Sequence, residues 1–185
     1  MNYANFLSCS RIALVPILAL VFFTYDQSPR ITLVFIFAVS CMTDYLDGYL
    51  ARKMNQVSML GKFLDPVADK LLVITSSLLV LYDYNNLIIF IPICIIIIRE
   101  VLVSALREWV AISNQKDNFS KGKSLEVNYI GKIKTFIQMF SIGILLFNGS
   151  IFTIDTYIVG LYGIYFAAFL SLLSMLIYLK NVVRQ

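Results

Sequence analysis

Long apolar runs alternate with short polar breaks along the whole chain. Six runs approach the roughly 20 residues that a membrane-crossing helix needs. They extend over about Ala4 to Thr24, Ile31 to Arg52, Leu64 to Tyr82, Leu87 to Trp109, Tyr129 to Phe147 and Tyr157 to Leu179. The fourth opens with Leu87 to Ile98, a block without a charged residue. The pattern predicts an all-α integral membrane protein with six transmembrane helices, forming one domain over residues 1–185. The first run has no basic stretch before it and no evident small-residue cleavage site, so it is expected to stay in the mature protein. The longest polar break, about Ile112 to Asn128, is too short for a second domain.

Composition agrees with this reading, since 59% of residues are hydrophobic and only 14% are charged. The distribution of charge sets an orientation. Of the breaks near Asp26, Asp83 and Asp155, which six spans place on one side, only the first carries a basic residue, Arg30. The other basic residues, among them Arg52, Lys53, Lys62, Arg107, Lys116, Lys121, Lys123, Lys180 and Arg184, lie toward the opposite side. The excess of Lys and Arg marks the cytoplasmic face. A cell-membrane protein with both termini in the cytoplasm is therefore expected. Lys116 to Lys123 reads as a solvated loop drawn to anionic lipid.

The absence of histidine excludes Ser–His and Cys–His nucleophilic catalysis and the usual zinc ligand. Cys9, Cys41 and Cys94 are far apart, without metal-ligand spacing, and read as small buried hydrophobes.

Four acids break the second and third runs: Asp44, Asp47, Asp65 and Asp69. A carboxylate at the centre of a spanning helix costs on the order of 2.5–3.5 kcal/mol. Two of them ~4 Å apart repel by about 4 kcal/mol at an effective dielectric of ~20. At about 100° per residue, each pair falls on one helix face. If the two faces meet, the four carboxylates suit one or two hard divalent ions with phosphate oxygens completing the shell. Mg2+ or Mn2+ fits such an all-oxygen site better than zinc. Each residue alone has a plainer reading. Asp65–Pro66 is an ordinary helix start, and Asp44 or Asp47 can face interfacial water. Gly48, Ala51 and Gly61 permit close approach of either a ligand or a second helix. Arg52 suits a phosphate or an interfacial anchor.

Together these residues spell Asp44-x-x-Asp47-Gly48-x-x-Ala51-Arg52, eight further positions, then Gly61-x-x-x-Asp65-x-x-x-Asp69. The pattern resembles the signature of the CDP-alcohol phosphatidyltransferases, with every signature position occupied. That family moves a phosphatidyl group from a CDP-linked lipid to an alcohol and releases CMP. The resemblance implies that Asp44, Asp47, Asp65 and Asp69 hold the metal ions and that Asp69 is the general base. It implies that Gly48, Ala51, Arg52 and Gly61 border the cytidine diphosphate of CDP-diacylglycerol, with Asn5 and Arg11 of the first run close by. It also implies a homodimer among membrane lipids, and no nucleic-acid partner is expected.

The stretch Arg99 to Trp109 and Gly131-Lys132-Ile133-Lys134-Thr135 resemble the corresponding segments of bacterial phosphatidylglycerophosphate synthases, whose acceptor is glycerol 3-phosphate. A phosphorylated acceptor calls for cations beyond the metal site, and Arg99, Arg107, Lys132 and Lys134 are the expected ones. For Arg107 and the lysines, the bias of basic residues toward the cytoplasm is the competing explanation. Glu100 is a candidate partner for Arg99, although adjacent helix residues point to different sides. Three rival readings stand. The first is the same aspartate core with another acceptor, as in cardiolipin, phosphatidylserine or inositol-phosphate synthesis. The second is a divalent-cation transporter, since intramembrane acids mark ion pathways. The third is a non-catalytic membrane adaptor.

Overall fold

The computed structural model describes residues 3–24, 30–54, 59–116, 129–151 and 153–183. Within them, side chains are described over 10–24, 30–43, 64, 66–110, 131, 133–150 and 153–180. Each apolar run lies within a helix: α1 (Tyr3–Thr24), α2 (Ile31–Met54), α3 (Met59–Tyr84), α4 (Leu87–Lys116), α5 (Tyr129–Phe147) and α6 (Thr156–Val183). A two-residue antiparallel ladder, β1 (Ser150–Ile151) with β2 (Ile154–Asp155), links α5 to α6 and pairs Ser150 with Asp155 and Ile151 with Ile154.

Two boundaries depart from expectation. Helix α3 begins at Met59, upstream of the apolar run, so Pro66 lies inside it. This overturns the reading of Asp65–Pro66 as a helix start. Helix α4 continues to Lys116 because nothing between Trp109 and Lys116 breaks it, neither Pro nor Gly. Cys41 and Cys94 are only partly buried, so they are less interior than expected.

The turns have local causes. Asn85 and Asn148 follow α3 and α5 with φ of 41° and 42°, the left-handed region in which Asn is tolerated and helices terminate. Asn86 caps α4 by accepting from the Ile88 amide at 3.0 Å, and Asp155 caps α6 by accepting from the Tyr157 amide at 2.9 Å.

The helices form a ring in which α1 packs on α2 and α3, α2 on α5, α5 on α6, α6 on α4, and α4 on α3, with α3 and α5 also meeting across it. The seam between α5 and α6 is the tightest. A β-carbon added at Gly160 would stand 2.6 Å from Leu145 Cγ, and one added at Gly163 would run into Ser141. The core of Leu18, Phe37, Leu72, Ile96, Ile142, Leu145 and Ile164 fills the interior.

Polarity is distributed inside out. Leu20, Phe35, Phe136, Phe169 and Leu176 are exposed, whereas Arg11, Arg99, Lys134 and Gln138 are buried. Large outward apolar faces are not sustained in water, and a bilayer accommodates them. Leu87–Val110 and Thr156–Lys180 are long and apolar enough to cross a membrane. Ser10–Thr24, Ile31–Thr43 and Ile133–Phe147 are shorter apolar helical stretches. Backbone groups in such surroundings must find partners within the protein. Pro92 inside α4 cannot donate to the carbonyl of Ile88, and the Tyr165 hydroxyl of α6 donates to that oxygen instead, at 2.9 Å.

Candidate functional site

The acid pairs occupy the C-terminal half of α2 and the N-terminal half of α3, the two half-helices that flank residues 55–58. Both pairs therefore stand at the same end of the bundle. Helix α1 packs on both, while α2 and α3 touch each other at few positions. Among the described residues, no three metal-ligating side chains cluster. Of the four aspartates only Asp69 has a described side chain, so the expected convergence lies outside the described residues. The same holds for the surroundings of Asn5, Gly48, Ala51, Arg52, Gly61 and Lys132, which are placed on α1, α2, α3 and α5 by their backbones alone.

Asp69 is held from α1. The buried Arg11 guanidinium donates from Nη1 to Asp69 Oδ1 at 2.8 Å. The arginine is sealed, but the aspartate side chain stays 46% exposed. It opens onto a cavity of about 570 Å³ between α3, α4 and α5, within the size range of small-molecule sites. One face of each helix supplies the wall. Asp69, Lys70 and Val73 come from α3, while Glu100, Ser104, Arg107 and Glu108 come from α4 at the i, i+4, i+7, i+8 spacing of a single helical stripe. Thr135, Gln138 and Met139 complete it from α5.

That stripe sorts the four expected acceptor cations. Arg107 is on the wall, and its guanidinium carbon also lies 5.9 Å from the centre of the Tyr178 ring. Arg99, a helical step off the stripe, turns toward α6 and donates from Nη2 to Ser174 Oγ at 2.7 Å. Lys134 is buried and paired with Glu100. Glu100 also takes a long contact from Arg99 Nη1 at 3.4 Å. The expected Arg99–Glu100 contact is therefore present, although Lys134 is the closer partner. Arg99 and Lys134 stand behind the wall through Glu100, and Lys132 has no described side chain. Lys70 and Gln138 lie outside the motifs, and Ser104 and Thr135 lie inside matched stretches without an expected role. The signal available for the α4 residues was the stripe running from Glu100, and for Gln138 an amide in an otherwise apolar run.

The donor set is all carboxylate, with no histidine in the chain. Such oxygens fit a hard divalent cation. Beside that end lies a cavity in which two cations, Arg107 and Lys70, share the wall with Asp69, Glu108 and a Glu100 already paired with Lys134, and the cations can meet anionic oxygens. The site can therefore place a carboxylate next to a bound phosphate-bearing molecule.

Comparison with known proteins agrees. The family model for CDP-alcohol phosphatidyltransferase matches residues 1–178. The chain is 38% identical over 178 residues to the CDP-diacylglycerol–glycerol-3-phosphate 3-phosphatidyltransferase of Wigglesworthia glossinidia brevipalpis, covering 96% of this chain and 93% of that one. It is 39% identical to the enzyme of the same name from Shigella flexneri serotype 5b (strain 8401), and 38% identical to that from Escherichia coli (strain K12). Both alignments cover 97% of this chain and 93% of the relative.

Proposed function

The chain belongs to the CDP-alcohol phosphatidyltransferase family, and from that premise we propose that it transfers the phosphatidyl group of CDP-diacylglycerol to glycerol 3-phosphate, releasing CMP. Relatives bearing that activity in their names align along nearly the whole chain. The observation that carries the reading to this molecule is Asp69, fixed by Arg11 yet open to a cavity that also holds Arg107.

The family is divalent-metal dependent. In this proposal Asp44, Asp47, Asp65 and Asp69 hold one or two Mg2+ or Mn2+ ions, which when bound neutralise the diphosphate and the charge developing on CMP. Asp69 takes the proton of the glycerol 3-phosphate 1-hydroxyl, acting as a base within reach of the attacking oxygen. That oxygen bonds to the lipid-linked phosphorus, the bond from this phosphorus to the CMP oxygen breaks, and CMP leaves. Arg11 keeps the Asp69 carboxylate in one orientation through the 2.8 Å bond. Gly48, Ala51, Arg52 and Gly61, with Asn5, border the nucleotide. Arg107 meets the acceptor phosphate, with Lys132 of α5 as a further cation, whereas the buried Lys134 holds Glu100 from behind the wall. Arg99 orders Glu100 on the cavity wall.

The enzyme so proposed crosses the cell membrane six times as a homodimer, with termini and active site in the cytoplasm. The shorter apolar helices and the outward Phe and Leu faces support this arrangement, as does the lysine and arginine asymmetry.

The test is CMP release from CDP-diacylglycerol by the purified protein, with and without glycerol 3-phosphate and with Mg2+, Mn2+ or chelator. Release that requires both glycerol 3-phosphate and a divalent ion is expected. Release with a different alcohol in its place would reassign the acceptor. Divalent-ion flux into liposomes without CMP release would replace transfer by transport.

A further inference from the structure

Gln138 of α5 is 1% exposed and lines the same cavity as Asp69. Its Oε1 has no hydrogen-bond partner among the described residues. An unsatisfied buried amide oxygen costs roughly 1–3 kcal/mol, and native interiors rarely leave one so. The neighbours do not relieve it. Ser141, one turn further along α5, donates its hydroxyl to the Ile137 carbonyl at 2.7 Å, and Ser104 across the cavity donates to the Glu100 carbonyl at 2.7 Å. The nearby buried cation, Lys134, is committed to Glu100. A group that can donate to Gln138 therefore has to come from what enters the cavity.

We infer that Gln138 reads the 2-hydroxyl of the acceptor. This rests on the function proposed above. In that reaction the 1-hydroxyl is at Asp69 and the phosphate at Arg107, on the α3 and α4 walls. The remaining polar group of glycerol 3-phosphate is its secondary hydroxyl, and α5 forms the remaining wall. A hydroxyl donates as well as accepts. The amide can turn about its last side-chain torsion to present either oxygen or nitrogen. The hydroxyl thus donates to the Oε1 that the packing leaves unmet. A site whose buried amide needs that hydroxyl discriminates against an acceptor lacking it, because the amide is then left unpaired.

The discriminating substrate is 3-hydroxypropyl phosphate, which keeps the attacking hydroxyl and the phosphate and lacks only the 2-hydroxyl. The intact protein in mixed micelles is assayed for CMP release with each acceptor. It is expected to favour glycerol 3-phosphate in kcat/KM by tenfold or more. In Gln138→Met, of similar volume, the value for glycerol 3-phosphate falls about tenfold while that for the analogue changes less than about threefold, so the preference collapses. Gln138→Asn, which keeps an amide but withdraws it by one methylene, also loses the preference. Equal use of the two acceptors by the unmodified protein overturns the inference without any variant. So does a folded Gln138→Met or Gln138→Asn that keeps the preference, or that loses both acceptors equally. If the unmodified protein releases no CMP with glycerol 3-phosphate, the proposed reaction fails before this point is reached.

Discussion

Helix α3 carries two Asp–Arg pairs, one in its N-terminal half and one at its C-terminal end, and the two differ in how far they are closed. At the C-terminal end Arg30 donates to Asp83 Oδ2 at 2.7 Å, and Asn148 donates to the same oxygen at 2.8 Å. The Arg30 guanidinium stacks 4.5 Å above the Phe22 ring, and its backbone amide donates to the Phe147 carbonyl at 2.9 Å. Asp83 is left 13% exposed. In the N-terminal half Arg11 meets Asp69 at nearly the same distance, but that carboxylate is 46% exposed and faces a cavity. The bond length is shared, so it says nothing about role. What separates a clasp from a site is how much of the acid remains for something else to touch. The first pair ties the starts and ends of α2, α3 and α5 together. The second leaves the carboxylate half exposed on the wall of a cavity.

Substitutions at the two pairs should then fail in opposite ways. The largest effect is expected for Asp69→Asn, which should lower kcat for CMP release by about 10²–10⁴-fold while the thermal midpoint in detergent stays near that of the parent. Near-normal turnover in this variant with metal still bound would remove Asp69 from the role of base. Next is Asp83→Ala, which takes the carboxylate away from the buried Arg30 guanidinium, at a cost of about 3–5 kcal/mol. It should lower the thermal midpoint sharply, while activity per folded molecule, measured below the transition, stays within about threefold. Equal loss of activity per folded molecule at both pairs would erase the distinction. Arg107→Ala should raise KM for glycerol 3-phosphate by about tenfold or more, the worth of a charge-assisted bond, and leave KM for CDP-diacylglycerol unchanged. The smallest effect is expected for Tyr165→Phe, which leaves the Ile88 carbonyl without its donor. A stability loss of about 1 kcal/mol, seen in thermal unfolding with no change in either KM, is the expected outcome.

The helices were legible because lipid imposes long apolar runs, and the run at Tyr129–Phe147 coincides with α5 to the residue. The limits of α3 and α4 were not, because the polar sequence past a membrane face loses the hydropathy signal although the helix goes on to Lys116. The hairpin at Ser150–Asp155 is too short to show an alternating pattern. For the site, spacing alone nominated the aspartates, and Arg11 was placed near the nucleotide without its bond to Asp69 being foreseeable. Which cations reach the cavity depends on the rotation of each helix about its own axis. One residue of difference separates Arg99, turned to Ser174, from Glu100 on the wall. Gln138 carried no motif, and only the packing of α5 against α3, beside the cavity, exposes its unmet oxygen.

The glycine seam has a consequence for how this scaffold tolerates change. With Gly160 against Leu145 and Gly163 against Ser141, α6 acts as a splint that fixes the roll of α5. Gln138 and Thr135 ride on that same shaft, so their aim is inherited from two positions far from any reacting atom. Bulk introduced on the splint would rotate the wall and detune acceptor choice without altering a single residue that meets substrate. A mutational survey blind to the fold would record these two glycines as though they belonged to the pocket.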